Sequence, residues 1–225
     1  MKSPFFVTGT DTEVGKTLIS CALLRKAQLQ GLKTIGLKPL AAGCVQTNDG
    51  LQNEDALALQ QCSTVKLPYQ QINPIALEPP IAPHIAAAEI NKPIRADRLV
   101  GYCRGALMQP ADFKLIEGAG GWRVPLNYRE TLADVAKQLN CQVILVVGMK
   151  LGCINHALLT YEAVMRDGLT VAGWVANQVQ PEMSRLEANI ETLQQMLPAP
   201  CLGVVPYQEQ PTPESVSEYL KMPSF

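Results

Sequence analysis

Short apolar runs recur along this chain, each ended by a glycine or polar residue, with stretches of helical spacing between them. They are Phe5–Thr8, Thr34–Lys38, Phe113–Glu117, Val143–Gly148, Val171–Asn177 and Leu202–Val205. Runs that are apolar at successive positions rather than alternate ones mark strands buried on both faces. Between them, Lys16–Gln30, Asp55–Gln61, Ile94–Met108, Leu132–Leu139, Ile154–Asp167 and Ser184–Met196 carry helical spacing. Val14, Leu18, Ala22 and Leu29 give the first helix an apolar stripe, and Leu158, Ala163 and Met165 fall within a later one. Strand-then-helix order requires right-handed crossovers, so the expected fold is α/β, a mostly parallel, doubly wound sheet with helices on both faces. Such a sheet binds ligands beyond the carboxyl ends of its strands.

One stretch interrupts the alternation. Pro68, Pro74, Pro79, Pro80, Pro83 and Pro93 crowd Leu67–Pro93, a density that forbids a central strand or long helix before Ile85–Glu89. Too poor in Gly and Ser for a flexible linker, it is expected to pack over the sheet. At 225 residues the chain is expected to form one domain over 1–225.

Composition narrows the partners. Lys and Arg total 19 against 20 Asp and Glu, a balance that provides no broad basic footprint for nucleic acid. With 47% hydrophobic and 17% charged residues the chain is too apolar for disorder. Seven scattered cysteines, without a CxxC pair, read as reduced thiols rather than a disulfide framework. With only two histidines, Cys153 and His156 have no visible metal-ligand cluster around them. Phe5-Phe6-Val7 is cut at once by Thr8-Gly9-Thr10-Asp11, far short of a secretory or membrane segment, so a cytoplasmic protein without membrane contact is expected.

The strongest chemical signal follows the first strand. Gly9-Thr-Asp-Thr-Glu-Val-Gly15-Lys16-Thr17 opens the first long helix as a P-loop does. Gly15 allows close approach to phosphate oxygens, loop amides and the helix N-terminus supply positive potential, Lys16 can bridge terminal phosphates, and the Thr17 hydroxyl can ligate Mg²⁺. The usual spacing puts its first glycine where Thr10 stands, so Gly9 is displaced by one residue.

Val7-Thr-Gly-Thr-Asp-Thr-Glu-Val-Gly-Lys-Thr17 resembles the signature of the dethiobiotin synthetase family, a P-loop NTPase-like family. The resemblance extends in order through Lys38-Pro39, Asn53–Leu57, Glu117–Trp122, Val146–His156 and Gly173–Asn177. It implies an ATP- and Mg²⁺-dependent cyclo-ligase that closes a ureido ring on 7,8-diaminononanoate with CO₂ or bicarbonate, within biotin biosynthesis. Implied nucleotide contacts are Thr12, Glu13, Val14, Gly15, Lys16, Thr17, Leu18, Asp55, Glu117, Gly118, Ala119, Gly120, Asn177, Gln178, Pro206 and Tyr207. Thr17, Asp55 and Glu117 would hold Mg²⁺, and Lys38, Lys16 and Glu13 would be catalytic. The substrate would meet Lys38, Ala42, Gly152, Cys153, Ile154 and Asn155, near the interface of a homodimer.

Plainer readings stand beside these roles. Asp55 could be a helix N-cap, Asn155 could cap the helix it opens, and Asn177 could be a turn residue. Glu13, inside a phosphate loop, is expected to face substrate amines or the lysine cluster. The chain departs from the resemblance at Ala42, where the family often has a hydroxyl, at Gln178, where many relatives carry Asp, and at Asn189, where relatives can carry Tyr. A regulatory or partitioning ATPase of the same superfamily is the main rival, with a small-molecule kinase or amide-forming cofactor-synthesis enzyme as another. The partitioning class is expected to carry a second lysine early in the loop and a basic tail. Here that loop reads Thr10-Asp-Thr-Glu13, and Tyr207–Phe225 is rich in Pro and Glu.

Overall fold

A computed structural model describes residues 3–224; Met1, Lys2 and Phe225, within the domain expected over 1–225, lie outside the described residues. The elements in chain order are β1 (Phe5–Gly9), α1 (Lys16–Leu29), β2 (Thr34–Leu37), β3 (Leu40–Ala41), β4 (Val45–Thr47), β5 (Gly50–Gln52) and α2 (Glu54–Cys62). Then come α3 (Tyr69–Ile72), β6 (Ile75–Ala76), α4 (Pro83–Glu89), α5 (Ala96–Leu107), β7 (Phe113–Glu117), α6 (Leu132–Gln138) and β8 (Gln142–Met149). The chain closes with α7 (Cys153–Arg166), β9 (Val171–Gln178), α8 (Leu186–Met196), β10 (Cys201–Val205) and α9 (Pro213–Ser217).

The main sheet has six strands in the order β10-β9-β8-β1-β7-β2, and every pairing is parallel. β1 and β2 are buried at every position, and β7 at every position but Lys114, which is half-buried, in keeping with their largely apolar sequences. One apolar cluster joins Phe6, Ile35 and Ile116 to α5 and α6, while another joins Phe5, Val7 and Leu115 to α1 and α9. The edge strand β10 departs from two-sided burial at Val204, which is exposed, although its outer edge is bridged at Gly203 to Leu220.

Two apolar stripes differ from their sequence patterns. In α1 the buried set is Ile19, Cys21, Ala22, Leu23, Leu24 and Ala27, because β-strands, α2 and α9 surround the helix. Leu29, at the last turn, passes beyond that packing and is exposed, and Val14 precedes the helix. In α7, Met165 is exposed and Leu158 and Ala163 are only half-buried, because the core side is set by Cys153, Ala157 and Val164.

The proline-rich excursion folds more fully than expected. Pro83 occupies the first turn of α4, where a missing N–H costs no helical bond, so this helix begins ahead of Ile85. Leu67, Ile72, Leu77, Ala86 and Ala87 from this region join the core beside β2. The small sheets β3-β6 and β4-β5 were not evident from apolar patterning, since strands of two or three residues are too short to show a period.

Candidate active site

Parallel pairing brings Gly9, Lys38, Glu117, Lys150 and Asn177 to the carboxyl edge of one sheet. The loop after β1 is tied down at several points. Thr10 N–H donates to the Val146 carbonyl at 3.0 Å, and the Thr10 hydroxyl accepts from Gly148 N–H at 3.3 Å. Gly9 has its own steric reason for lying one residue early: a Cβ there would sit 2.5 Å from Val14 Cγ2 and 2.8 Å from the Asp11 carbonyl. Gly15 has φ of +87° and caps α1, and a Cβ on it would collide with the Asn177 amide nitrogen.

The charged centre lies where α1, β2, α2 and β7 meet. Lys38 Nζ donates to Glu117 Oε1 at 2.5 Å and to the Gly118 carbonyl at 3.0 Å, and it pairs with Asp55 Oδ2 at 3.1 Å. The Thr17 hydroxyl donates to Glu117 Oε1 at 2.8 Å. Lys38 and Glu117 are 4% and 1% exposed, so this is a desolvated ion cluster rather than a surface pair. Burial pulls the Lys38 ammonium towards neutrality, but Glu117 and then Asp55 outweigh it and hold its pKa above the ordinary lysine range. For Asp55 burial acts upward, and Lys38 followed by the Thr17 hydroxyl brings the net shift downward. Lys16 instead donates to the Asp11 carbonyl at 2.9 Å, and burial, reinforced by the charge of Lys38, lowers its pKa to about 8.

A cavity of about 870 Å³ opens over this centre, a volume suited to a small-molecule ligand. Thr12, Glu13, Gly15, Lys16, Thr17, Leu18, Lys38, Ala42, Asp55, Glu117, Ala119 and Gly120 from the sequence reading all line it. Gly118 contributes its carbonyl to Lys38 from beneath. Val14 faces inward against Gly9 and Gly148. Asn53, rather than Asp55, caps α2 by accepting from Ala56 N–H at 3.3 Å, which leaves the Asp55 carboxylate free for Lys38. Glu13 is exposed, adopts φ of +58°, and enters no ion pair among the described residues, so the lysine-cluster contact expected for it is not formed here. The reason is that Lys16 turns to the Asp11 carbonyl and Lys38 to Glu117, Asp55 and Gly118.

Other expected site residues stand apart from this cavity. Asn177 lies under the P-loop and donates to the Val14 carbonyl at 2.9 Å, so it is more than a turn residue. Gln178 donates to the Gln180 and Pro181 carbonyls and accepts from Tyr207 N–H, linking the loops after β9 and β10. Gly152, Cys153, Ile154 and Asn155 open α7 outside the cavity lining. Gly152 caps that helix with no side-chain hydrogen bond, so Asn155 does not cap it.

Several residues that build the site were given no role there from the sequence. Pro80–Pro83 and Val124-Pro125 form an apolar wall of the cavity. Lys150 bridges Asp11 at 2.9 Å, joining the P-loop to the turn before α7. Trp122 donates to Asp167 at 2.8 Å and sets its ring edge-on to Phe6, pinning the glycine loop that follows Glu117. Only the Asn53 cap had a local signal, an Asn directly before an acidic first turn.

The donor chemistry fits a hard divalent cation with a phosphate ligand. Glu117 Oε2 is buried and accepts no hydrogen bond among the described residues, beside the Asp55 carboxylate and the Thr17 hydroxyl. No group of three or more His, Cys, Asp or Glu side chains suited to a metal occurs among those residues. An ion here would therefore complete its shell from a ligand's oxygens and water, as Mg²⁺ commonly does.

Comparison with known proteins agrees with the P-loop geometry. A family described as an AAA domain matches residues 3–215. The ATP-dependent dethiobiotin synthetase BioD of Cellvibrio japonicus is 58% identical over 221 residues, spanning 98% of this chain and 96% of that protein. Its namesakes in Marinobacter nauticus and Aeromonas salmonicida are 54% and 48% identical, over 98% and 94% of this chain and 97% and 93% of their own lengths. Among solved structures, a ParA family ATPase from Chlorobium tepidum superposes with a TM-score of 0.55 at 12% identity, covering 92% of this chain and 86% of that one. The septum site-determining protein MinD of Pyrococcus horikoshii, solved with Mg-ADP, gives 0.55 at 16% identity, covering 92% and 82%. These structural likenesses concern the fold alone. Among the described residues no helix is long and apolar enough to cross a membrane.

Proposed function

The chain belongs to the AAA-domain family matched over residues 3–215 and to the dethiobiotin synthetases, and from that premise we propose that its cavity closes the ureido ring of dethiobiotin. The reactants are ATP, CO₂ or bicarbonate, and 7,8-diaminononanoate, and the products include ADP and phosphate. One substrate amine adds to CO₂ and loses a proton, giving a carbamate. A carbamate oxygen then attacks the γ-phosphorus as the bond to ADP breaks, forming a carbamic-phosphoric anhydride. The second amine attacks the carbonyl carbon and loses a proton, phosphate leaves, and the five-membered ring closes.

The observation that carries this reading is the Lys38 ammonium held between Glu117 and Asp55 over the P-loop. Carbamate and triphosphate are both anions, so their approach needs fixed positive charge in a low-dielectric site. Lys38 supplies it on the nucleophile's side, and Lys16 on the nucleotide's side. The bonds from Glu117, Asp55 and Gly118 orient the Lys38 ammonium before substrate arrives, which is preorganisation of the kind that lowers barriers to phosphoryl transfer. Thr17, Asp55 and Glu117 would hold Mg²⁺, which when bound neutralises charge on the triphosphate. Asn177, Gln178, Pro206 and Tyr207 would form the base site, with Asn177 and Gln178 acting through the loops they brace because their amides are already engaged.

Gly152–Asn155 would receive the substrate's carboxylate at the start of α7, through the amides other than that of Cys153, whose N–H donates to the Lys150 carbonyl at 3.0 Å. Their place outside the chain's own cavity favours a homodimer in which substrate lies near the interface. Leu151, 97% exposed in the same turn, suits such a covered surface.

Phosphate release measured with and without bicarbonate and diamine tests the reading. Release should require both and should accompany ring closure. Turnover of ATP that is indifferent to the diamine would instead favour the partitioning-ATPase class.

A further inference from the structure

We propose that Tyr69 and Asn73 are positioning residues, forming a hydrogen-bonded clamp that fixes the Lys38 main chain and the Asp55-bearing start of α2 relative to each other. The inference deepens the functional reading above and rests on it.

Lys38 directly follows β2 and Asp55 lies in α2, yet their side chains meet at 3.1 Å. The segment around α3 grips the Lys38 peptide from both sides. Lys38 N–H donates to the Ile72 carbonyl at 3.0 Å, and the Asn73 amide donates to the Lys38 carbonyl at 2.7 Å. Ile75 N–H donates to the Pro39 carbonyl at 3.3 Å, extending the same grip. From Asn73 the chain of bonds runs to α2. The Tyr69 hydroxyl donates to Asn73 Oδ1 at 2.9 Å and accepts from Asn53 N–H at 2.8 Å. Asn53 is the cap of α2, two residues before Asp55, and its side-chain amide reaches the Ala42 carbonyl at 3.4 Å.

Each link is fully committed. The Tyr69 hydroxyl has one proton to give and uses it, and the Asn73 amide gives its remaining proton to the Ile75 carbonyl at 3.2 Å. Asn73 is 3% exposed and Asn53 7%, so neither has ready access to water as an alternative partner. Pro39 and Pro74 follow Lys38 and Asn73 directly and bias both towards extended backbone, which favours this geometry. The proline-rich excursion thus has a job at the site even though its four-residue helix contributes no charge to it.

The test compares Tyr69→Phe with wild type, since the ring keeps its place against the core and loses only the hydroxyl. Ring-closure kcat should fall about tenfold or more, as loss of such outer support commonly causes. KM for ATP should stay within about twofold, because the P-loop is untouched. In calorimetry with a non-hydrolysable ATP analogue, the Mg²⁺ concentration needed for half-maximal binding should rise several-fold. Asn73→Ala should act in the same direction, and the phenylalanine variant decides the matter if the alanine one does not fold. Tyr102→Phe, at a partly exposed tyrosine bonded to Arg98, should match wild type. Wild-type kcat and wild-type Mg²⁺ dependence in Tyr69→Phe would overturn the proposal, as would a lower melting temperature with both unchanged. If wild type itself closes no ring, the functional reading fails, while the analogue-binding comparison still judges the clamp.

Discussion

The side-chain amide of Asn177, at the end of β9, donates a 2.9 Å hydrogen bond to the carbonyl of Val14 in the loop after β1. Residues far apart in sequence thus share one turn of structure, and the P-loop's shape depends on a strand that carries no phosphate-binding motif. Asn177→Ala should lower stability by about 1–2 kcal/mol, because a buried acceptor loses its partner. Denaturant unfolding would show that. Affinity for an ATP analogue should drop with it, and unchanged affinity would mean the loop holds its shape without the strand.

Gly15 makes the complementary prediction. Its φ of +87° disfavours any Cβ, and the space where one would lie is taken by Asn177. Gly15→Ala should therefore cost about 1–2 kcal/mol in backbone strain before the collision is counted. Nucleotide binding, followed by calorimetry, should suffer more than in Asn177→Ala.

Lys16 should make nucleotide binding proton-linked. With a pKa of about 8 in the free protein, it is charged at pH 7 and largely neutral at pH 9. Phosphate oxygens favour the ammonium form, so binding should take up a proton increasingly as pH rises through 8. Calorimetry in buffers of different ionisation enthalpy measures that uptake, and none at pH 8 to 9 would contradict the assignment. The same shift has a sign for folding. Because the folded value lies below the ordinary 10.5, the unfolded chain binds more protons between about 8 and 10.5, and Lys16's contribution to stability improves with rising pH in that window.

Lys38 and Glu117 should be non-additive. Lys38→Met strands a buried carboxylate and should cost about 3–5 kcal/mol, whereas Lys38→Met with Glu117→Gln removes both charges and should cost less than the single change. Thermal or denaturant unfolding of Lys38→Met, Glu117→Gln and the double variant forms the cycle. Ring closure should be abolished in all of them, with nucleotide affinity less affected by Lys38→Met than turnover.

Ala42 lines the cavity where the family often has a hydroxyl. Ala42→Ser should lower KM for the diamine by a few-fold, the scale of one added hydrogen bond, and leave kcat near wild type. Steady-state kinetics across diamine concentrations would read it, and an unchanged KM would mean this position does not meet the substrate.

Much of the fold was legible because buried parallel strands must be apolar throughout. β7 coincides with its apolar run at Phe113–Glu117, and β1, β2, β8, β9 and β10 end within a residue of theirs. Apolar runs also end where strands leave the sheet, so Lys38, Glu117 and Asn177 could be placed at its carboxyl edge from order alone. Exposure of Leu29 and Met165 was not legible, because a helical repeat reports a face but not which neighbours cover it. The short strands β3 to β6 and the helix α3 have too few residues to show any repeat.

By itself, then, the sequence determined the parallel α/β architecture, the P-loop and the chemical types gathered at the strand ends, since local periodicity and motif spacing are carried by consecutive residues. Tertiary structure decided which of those groups touch. It set Lys38 between Glu117 and Asp55, gave the α2 cap to Asn53, tied Asn177 to Val14 and brought Tyr69 and Asn73 against the Lys38 peptide. Those contacts join residues remote along the chain, and their distances follow from how strands order and pack, which no local pattern encodes.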